Sequence, residues 1–133
     1  MRILLIRHGD PDYENDSLTE KGKREAAMLA SRLLNEKIDY AYVSTMGRAM
    51  ATAEPTLRLK GMEATYYKWL REFSDCRIIR PDIGGPSPVC WDWLPQDWTK
   101  NEEMYRYDEW YKQEAMAAAD AKGYLDEVTC GLD

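Results

Sequence analysis

The chain opens on a short apolar run, Ile3-Leu4-Leu5-Ile6, held between Arg2 and Arg7. Four consecutive apolar side chains leave no face for water, so Arg2 to Ile6 is expected as a strand covered on both sides, as in a parallel sheet. The turn-rich stretch Gly9-Asp10-Pro11-Asp12 follows, with further acids to Asp16, and no regular element is expected there. The period then changes. Ala26, Leu29, Ala30, Leu33 and Leu34 recur at three and four residues and give a helix one apolar face. Ser17 or Thr19 can cap its start, Glu20 suits its positive end, and Asn35 is a plausible stop. Ile38 to Ser44 reads as a second strand. Thr45 can cap a second helix, which Pro55 is expected to restrict or end at about Glu54. Met62 to Tyr67 reads as a third strand. Strand, helix, strand, helix, strand implies right-handed crossovers and a mainly parallel sheet, in a three-layer α/β/α fold.

Residues 80–98 break the alternation. Four prolines and two glycines exclude long regular structure there, and three tryptophans exclude a simple flexible linker. The segment is expected to be an ordered excursion within one domain of residues 1–133. Thr99-Lys100-Asn101-Glu102 is a capping-box pattern, expected to open a helix reaching about Ala119 and continuing past Gly123. Tyr124, Leu125, Val128 and Leu132 then recur at helical spacing, and no strand follows to cover that face.

Composition narrows the classes. With 133 residues the chain supports one small core. No stretch approaches the roughly 18 to 20 apolar residues that cross a bilayer, and Ile3 to Ile6 is too short for a signal-peptide core. Cys76, Cys90 and Cys130 have no metal-like spacing and read as free thiols of a cytoplasmic protein. His8 is the one histidine, which excludes a zinc site built on two or more histidines of this chain. A net charge of −6 argues against general nucleic-acid or anionic-membrane binding. The charge is uneven. Residues 1–60 hold ten Lys/Arg against nine Asp/Glu, residues 61–133 eight against fifteen, so an anionic ligand is expected to meet the first half.

Three places carry candidate chemistry. Arg7-His8-Gly9 follows the first expected strand, where open α/β sheets bind ligands. A neutral imidazole with one nitrogen tied to an acceptor and the other free attacks phosphorus well, and the Arg7 fork matches a phosphoryl group. Arg48 sits in the first turn of the second helix, where its charge opposes the helix dipole; an anion at that end would explain it, as would an ordinary pair with Glu54 or Asp39. Glu72, in Leu70-Arg71-Glu72, is either a solvated surface acid or, near a phosphate, a proton donor to a leaving oxygen.

Taken together, these residues resemble the histidine phosphatase superfamily, the phosphoglycerate mutase-like proteins. Arg7-His8-Gly9 is similar to its signature, Ser17-Leu18-Thr19-Glu20-Lys21-Gly22 to the helix start that follows, Ser44 to Ala53 to its second arginine motif, and Leu70-Arg71-Glu72 to its acid motif. The likeness runs from residue 1 to about 73. It implies that His8 becomes a phosphohistidine, that Arg7 and Arg48 hold the phosphoryl oxygens, and that Glu72 is general acid and then base. It implies no metal and no cofactor, and a small phosphorylated metabolite or phosphate ion as partner. Phosphoester hydrolysis, mutase-type transfer and a non-catalytic phosphate-binding domain are the three functions it admits. Residues 80–98 would be the family's variable lid, with Arg80, Trp91 and Trp93 touching the rest of the substrate, unless these tryptophans form a mini-core of their own.

The sequence departs from the family in two respects. Pro11 stands where the family often has a small hydroxyl residue, and Asn15 falls about one place from the asparagine that touches phosphate. The second histidine of the phosphate cage has no counterpart. The chain therefore reads as an N-terminal part of the domain lacking its last strand and helix, the alternative being a complete but degenerate member; impaired activity is expected, and for the fragment an open sheet edge that favours self-association.

Overall fold

A computed structural model describes residues 1–72, 76–83 and 93–132. Within it the chain forms two compact units, residues 1–71 and 72–133.

The first unit carries strands β1 (Pro11–Asp12), β2 (Ser17–Leu18), β3 (Tyr42–Ser44) and β4 (Thr65–Tyr67) and helices α1 (Glu20–Leu33) and α2 (Gly47–Lys60). β1 and β2 form an antiparallel hairpin, Pro11 opposite Leu18. β3 and β4 pair in parallel, Val43 opposite Tyr66, as a crossover through α2 requires. The unit is α/β as expected, but the described ladders are these two separate pairs rather than one mainly parallel sheet. The expected strands at 38–44 and 62–67 shrink to three residues each.

Thr19, one of the two expected caps, begins α1: its hydroxyl accepts the Gly22 N–H at 3.1 Å. Gly22, Ala26, Ala30 and Leu33 form the buried stripe, while Leu34 is exposed. Small residues on this stripe let α1 lie close to its neighbours. A Cβ on Gly22 would meet the Asp10 carbonyl oxygen at 2.2 Å, so only glycine fits there. The C-terminus of α1 is closed by Lys60, whose ammonium donates to the carbonyl oxygens of Leu33, Leu34 and Glu36 at 3.2, 3.0 and 2.7 Å. A cation there also meets the negative end of the helix dipole.

Two expectations fail instructively. Residues 1–9 join no ladder, and Ile3 and Leu5 are 74% and 97% exposed where burial on both faces was expected. An apolar run makes a buried strand only where paired neighbours cover it, and β3 and β4 pair with each other instead. Pro55 does not end α2, which continues to Lys60 and stops at Gly61, φ +62°. Packing of α2 on α1 outweighs the lost Pro55 hydrogen bond, and a left-handed glycine ends the helix.

The second unit holds α3 (Pro95–Trp98), α4 (Glu114–Ala118) and α5 (Ala121–Leu132), with single 3₁₀ turns at Pro81–Ile83, Glu102–Tyr105 and Trp110–Lys112. The helix expected from Thr99 to Ala119 is thus broken. Asp120 at φ +50° separates α4 from α5. Cys76, Ile78, Met104, Met116 and Ala121 form the buried centre, and Trp93, Trp98, Trp110 and Tyr124 pack against it. Tyr124 therefore finds a partner, while Leu132 stays 72% exposed. None of the described helices is long and apolar enough to cross a membrane.

Lys60→Met keeps the aliphatic stem but deletes the charge that closes α1. Urea unfolding should show a loss of about 1 kcal/mol; an unchanged midpoint would mean the three carbonyl contacts contribute nothing.

Candidate phosphoryl-transfer site

The site grows from the peptide links of residues 8–10. The His8 ring nitrogen Nδ1 lies 2.8 Å from the Gly9 carbonyl oxygen. A carbonyl only accepts, so in the neutral ring this contact calls for the proton on Nδ1 and leaves the lone pair on Nε2. Nε2 is buried and makes no hydrogen bond. The Gly9 N–H donates to the Thr52 hydroxyl at 3.0 Å, and that hydroxyl donates to the Arg48 carbonyl oxygen at 2.8 Å. Two hydrogen bonds thus tie the His8-Gly9 corner to the first turn of α2. On the other side the Asp10 N–H donates to the Glu25 carboxylate at 2.8 Å. Thr19 donates to the Asp10 carboxylate at 2.6 Å and, with Lys21, holds its pKa below the ordinary aspartate range.

Helix α2 buries an unusual stripe: Arg48, Thr52 and Thr56, one turn apart. Its N-cap residue, Met46, supplies no side-chain bond, and neither does the expected cap Thr45. Asp16 caps it from the hairpin turn. Its carboxylate accepts from Gly47 N–H at 2.6 Å, from Arg48 N–H at 3.4 Å and from the Arg48 guanidinium at 2.9 Å. Asp16 takes the left-handed conformation, φ +42°, which aspartate tolerates better than most residues. Desolvation pushes its pKa up, but the two amides and Arg48 outweigh that and hold it below the ordinary range. A Cβ on Gly47 would lie 2.1 Å from the Asp16 carbonyl oxygen, so the turn also needs glycine there. The Tyr13 ring covers Arg48, its centroid 5.5 Å from the guanidinium carbon. A carboxylate of the chain itself thus lies at this helix end, and in that contact Arg48 pairs with Asp16 rather than with Glu54 or Asp39.

The first unit carries Arg7, His8 and Arg48. Arg7 is exposed, His8 half-buried and Arg48 buried. Arg71 donates to the Met46 sulfur at 3.0 Å, which brings the end of this unit to the start of α2. Asn15 turns away from any such role, hydrogen-bonded to Asp12 at 2.8 Å. Glu72, exposed, opens the second unit. There Arg80 is gripped at both ends of its fork by Asp82, Nε and Nη2 each at 2.7 Å, which raises the pKa of Arg80 and lowers that of Asp82. Its guanidinium carbon lies 5.2 Å from the Trp93 centroid, and Trp93 meets Trp98 at 4.8 Å. Trp91 lies outside the described residues. Asp16, Glu25, Thr52 and Tyr13 escaped the sequence reading. The left-handed Asp16 and the buried threonines show no hydrophobic period; their only trace in sequence is the spacing of Arg48, Thr52 and Thr56. Among the described residues no three His, Cys, Asp or Glu side chains are grouped to hold a metal ion.

Comparison with known proteins decides the family. Residues 3–79 match the model of the histidine phosphatase superfamily, branch 1. The chain belongs to that superfamily. This histidine phosphatase chain is 32% identical over 81 residues to a probable phosphoglycerate mutase of Photorhabdus laumondii, covering 54% of the chain and 38% of the relative. It is 38% identical over 69 residues to a probable phosphatase of Schizosaccharomyces pombe, covering 45% and 33%. It is 26% identical over 143 residues to phosphoserine phosphatase 1 of Hydrogenobacter thermophilus, covering 96% and 64%. The chain thus spans between a third and two thirds of the length of these relatives.

Two measurements follow. Because the folded pKa of Asp16 is depressed, its contribution to stability is complete above the ordinary aspartate pKa and is lost as pH falls through the lower folded value. Asp16→Asn should flatten that acid limb of the stability profile, and a parallel profile would show that the carboxylate does not stabilise α2. Trp93→Ala should lower the stability of the full chain by about 2 kcal/mol, because the ring packs on Trp98 and under Arg80. A changed Michaelis constant at unchanged stability would instead make the ring a wall of the substrate site.

Proposed function

We propose that the chain carries a metal-independent phosphoryl-transfer site in which His8 is the nucleophile. The observation that supports it most is the state of the imidazole: Nδ1–H is held on the Gly9 carbonyl, and Nε2 is buried without a partner. In water such a nitrogen would be hydrated, so a buried lone pair without a donor is costly unless it has work to do.

In the proposed reaction the Nε2 lone pair forms a bond to phosphorus, and the bond from phosphorus to the leaving oxygen breaks. Arg7 and Arg48 stabilise the charge gathering on the phosphoryl oxygens. Glu72, protonated, gives its proton to the leaving oxygen. Its carboxylate then takes a proton from water, which attacks phosphorus and breaks the bond to Nε2. The substrate is a small phosphorylated metabolite, and hydrolysis is preferred to mutase-type transfer. Residues 80–98, with Arg80, Trp91 and Trp93, are proposed as the lid of the complete site. A cytoplasmic setting suits the free thiol Cys130.

One observation favours a second reading. The sequence holds a single histidine, where the resemblance calls for two. A cage short of one member loses about 10²- to 10³-fold in rate, which would leave a phosphate-binding domain with little turnover.

Phosphoramidate separates the readings. The full chain should take an acid-labile, alkali-stable phosphoryl label that His8→Ala abolishes and Arg48→Ala slows about 10²-fold. Free phosphate released afterwards identifies a phosphatase, and an isomerised phosphoester a mutase. Phosphate binding with no label at all would leave only the non-catalytic reading.

A further inference from the structure

The tautomer of His8 depends on where the Gly9 carbonyl points, and that direction is set from the far side of its peptide. Gly9 C=O and Asp10 N–H belong to one planar trans peptide, so they point in opposite directions. The Asp10 N–H is taken by Glu25 Oε2 at 2.8 Å, and the Gly9 carbonyl takes His8 Nδ1–H at 2.8 Å. We infer that Glu25 is a positioning residue for His8, acting through the Gly9–Asp10 peptide as a carboxylate acts directly on a histidine in a dyad.

The surroundings suit that role. Glu25 lies one turn beyond Lys21 on α1, and Lys21 approaches its other oxygen at 3.6 Å, so the carboxylate is steered from one side and bonded on the other. Gly9 is pressed against α1: a Cβ on it would meet the Gly22 carbonyl oxygen at 2.9 Å and Glu25 Oε2 at 3.4 Å. The preceding peptide is held separately by Thr52 through the Gly9 N–H. Rotation of the 9–10 peptide would break the Glu25 bond and the His8 bond together. An anionic acceptor on an amide N–H also makes the carbonyl of the same peptide a stronger acceptor, since hydrogen bonds in a chain polarise one another. The result favours Nδ1–H, leaves the lone pair on Nε2, and places the tie outside the path of the phosphoryl group. The same tie in metal sites and hydrolase triads comes from a carboxylate or carbonyl touching the ring; here the carboxylate stands one peptide removed. The inference rests on His8 being the nucleophile, but its first readout does not.

Because His8 is the only histidine, nitrogen-15 NMR of the full chain reports one imidazole. In mildly alkaline buffer the wild type should carry its ring proton on Nδ1. Glu25→Ala should move it largely to Nε2, while Glu25→Gln, which still offers an oxygen to Asp10 N–H, should restore Nδ1–H. Phosphoramidate labelling of His8 should fall about tenfold in Glu25→Ala, the low end for partners that orient a reactive group, and stay within about threefold of wild type in Glu25→Gln. A ring proton that stays on Nδ1 in a folded Glu25→Ala chain overturns the inference, as does a wild-type ring protonated on Nε2. A wild type with Nδ1–H that responds to Glu25 but takes no label supports the positioning role and overturns the nucleophile.

Discussion

Backbone meets backbone where the first turn of α1 crosses the strand-like corner after His8. The Asp10 carbonyl lies where a side chain at residue 22 would stand, and the Gly22 carbonyl where one at residue 9 would stand. Two glycines facing each other bring the chains close enough for Thr19 N–H to reach the Asp10 carbonyl at 3.1 Å and for Glu25 to reach the Asp10 N–H. The Glu25 side of the arrangement that orients His8 hangs on that approach. A methyl group at either position would push α1 outward and release the Thr19 and Glu25 bonds together. The cost would fall on the geometry of the imidazole before it fell on the small core of Leu18, Ala26, Ala30, Leu33 and Val43.

The second organising contact is electrostatic. The start of α2 presents two unsatisfied N–H groups and the buried Arg48 guanidinium, a combination that ordinarily attracts a phosphate. Asp16 sits on all three. Its carboxylate pairs with the buried guanidinium, and it anchors the β1–β2 hairpin, with Tyr13, over the arginine. In the proposed reaction a phosphoryl group would therefore meet an arginine already held by an anion. Such an arrangement gives up part of the attraction for phosphate and gains a guanidinium with restricted rotation, which matters more when the charge to be stabilised develops during the reaction.

Local signals in the sequence were reliable where local physics decides. The Thr19 cap, the apolar stripe of α1 and the parallel relation of β3 and β4 follow from hydrogen-bond chemistry and connection rules that need no tertiary knowledge. The Arg7-His8-Gly9 triplet pointed to an imidazole beside a bend, and the bend supplies the carbonyl that Nδ1 needs. The failures lie where distant partners decide. Ile3 to Ile6 has the composition of a covered strand, but composition does not provide the neighbours. Pro55 should break a helix in isolation; against α1 the helix continues. Asp16 and Glu25 look like ordinary surface acids in a chain with 24 of them, and only the fold reveals that each accepts a backbone N–H. The break before α5 rests on a left-handed Asp120, which no periodicity announces.

The groups that orient His8 all lie between residues 8 and 52, inside the first unit, whereas turnover in the proposed reaction also calls on Glu72. Orienting the imidazole and turning over a phosphoester are therefore separable parts of the proposed reaction. The first needs a carbonyl, a threonine and a glutamate in register, all present with distances of 2.8 to 3.0 Å. The second needs a proton donor and further charge around the transition state. A chain with one histidine can satisfy the first set completely while falling short of the second. In that case the proposed phosphoryl acceptance would outlast turnover, because the bonds that orient the ring lie on its Nδ1 side, away from Nε2.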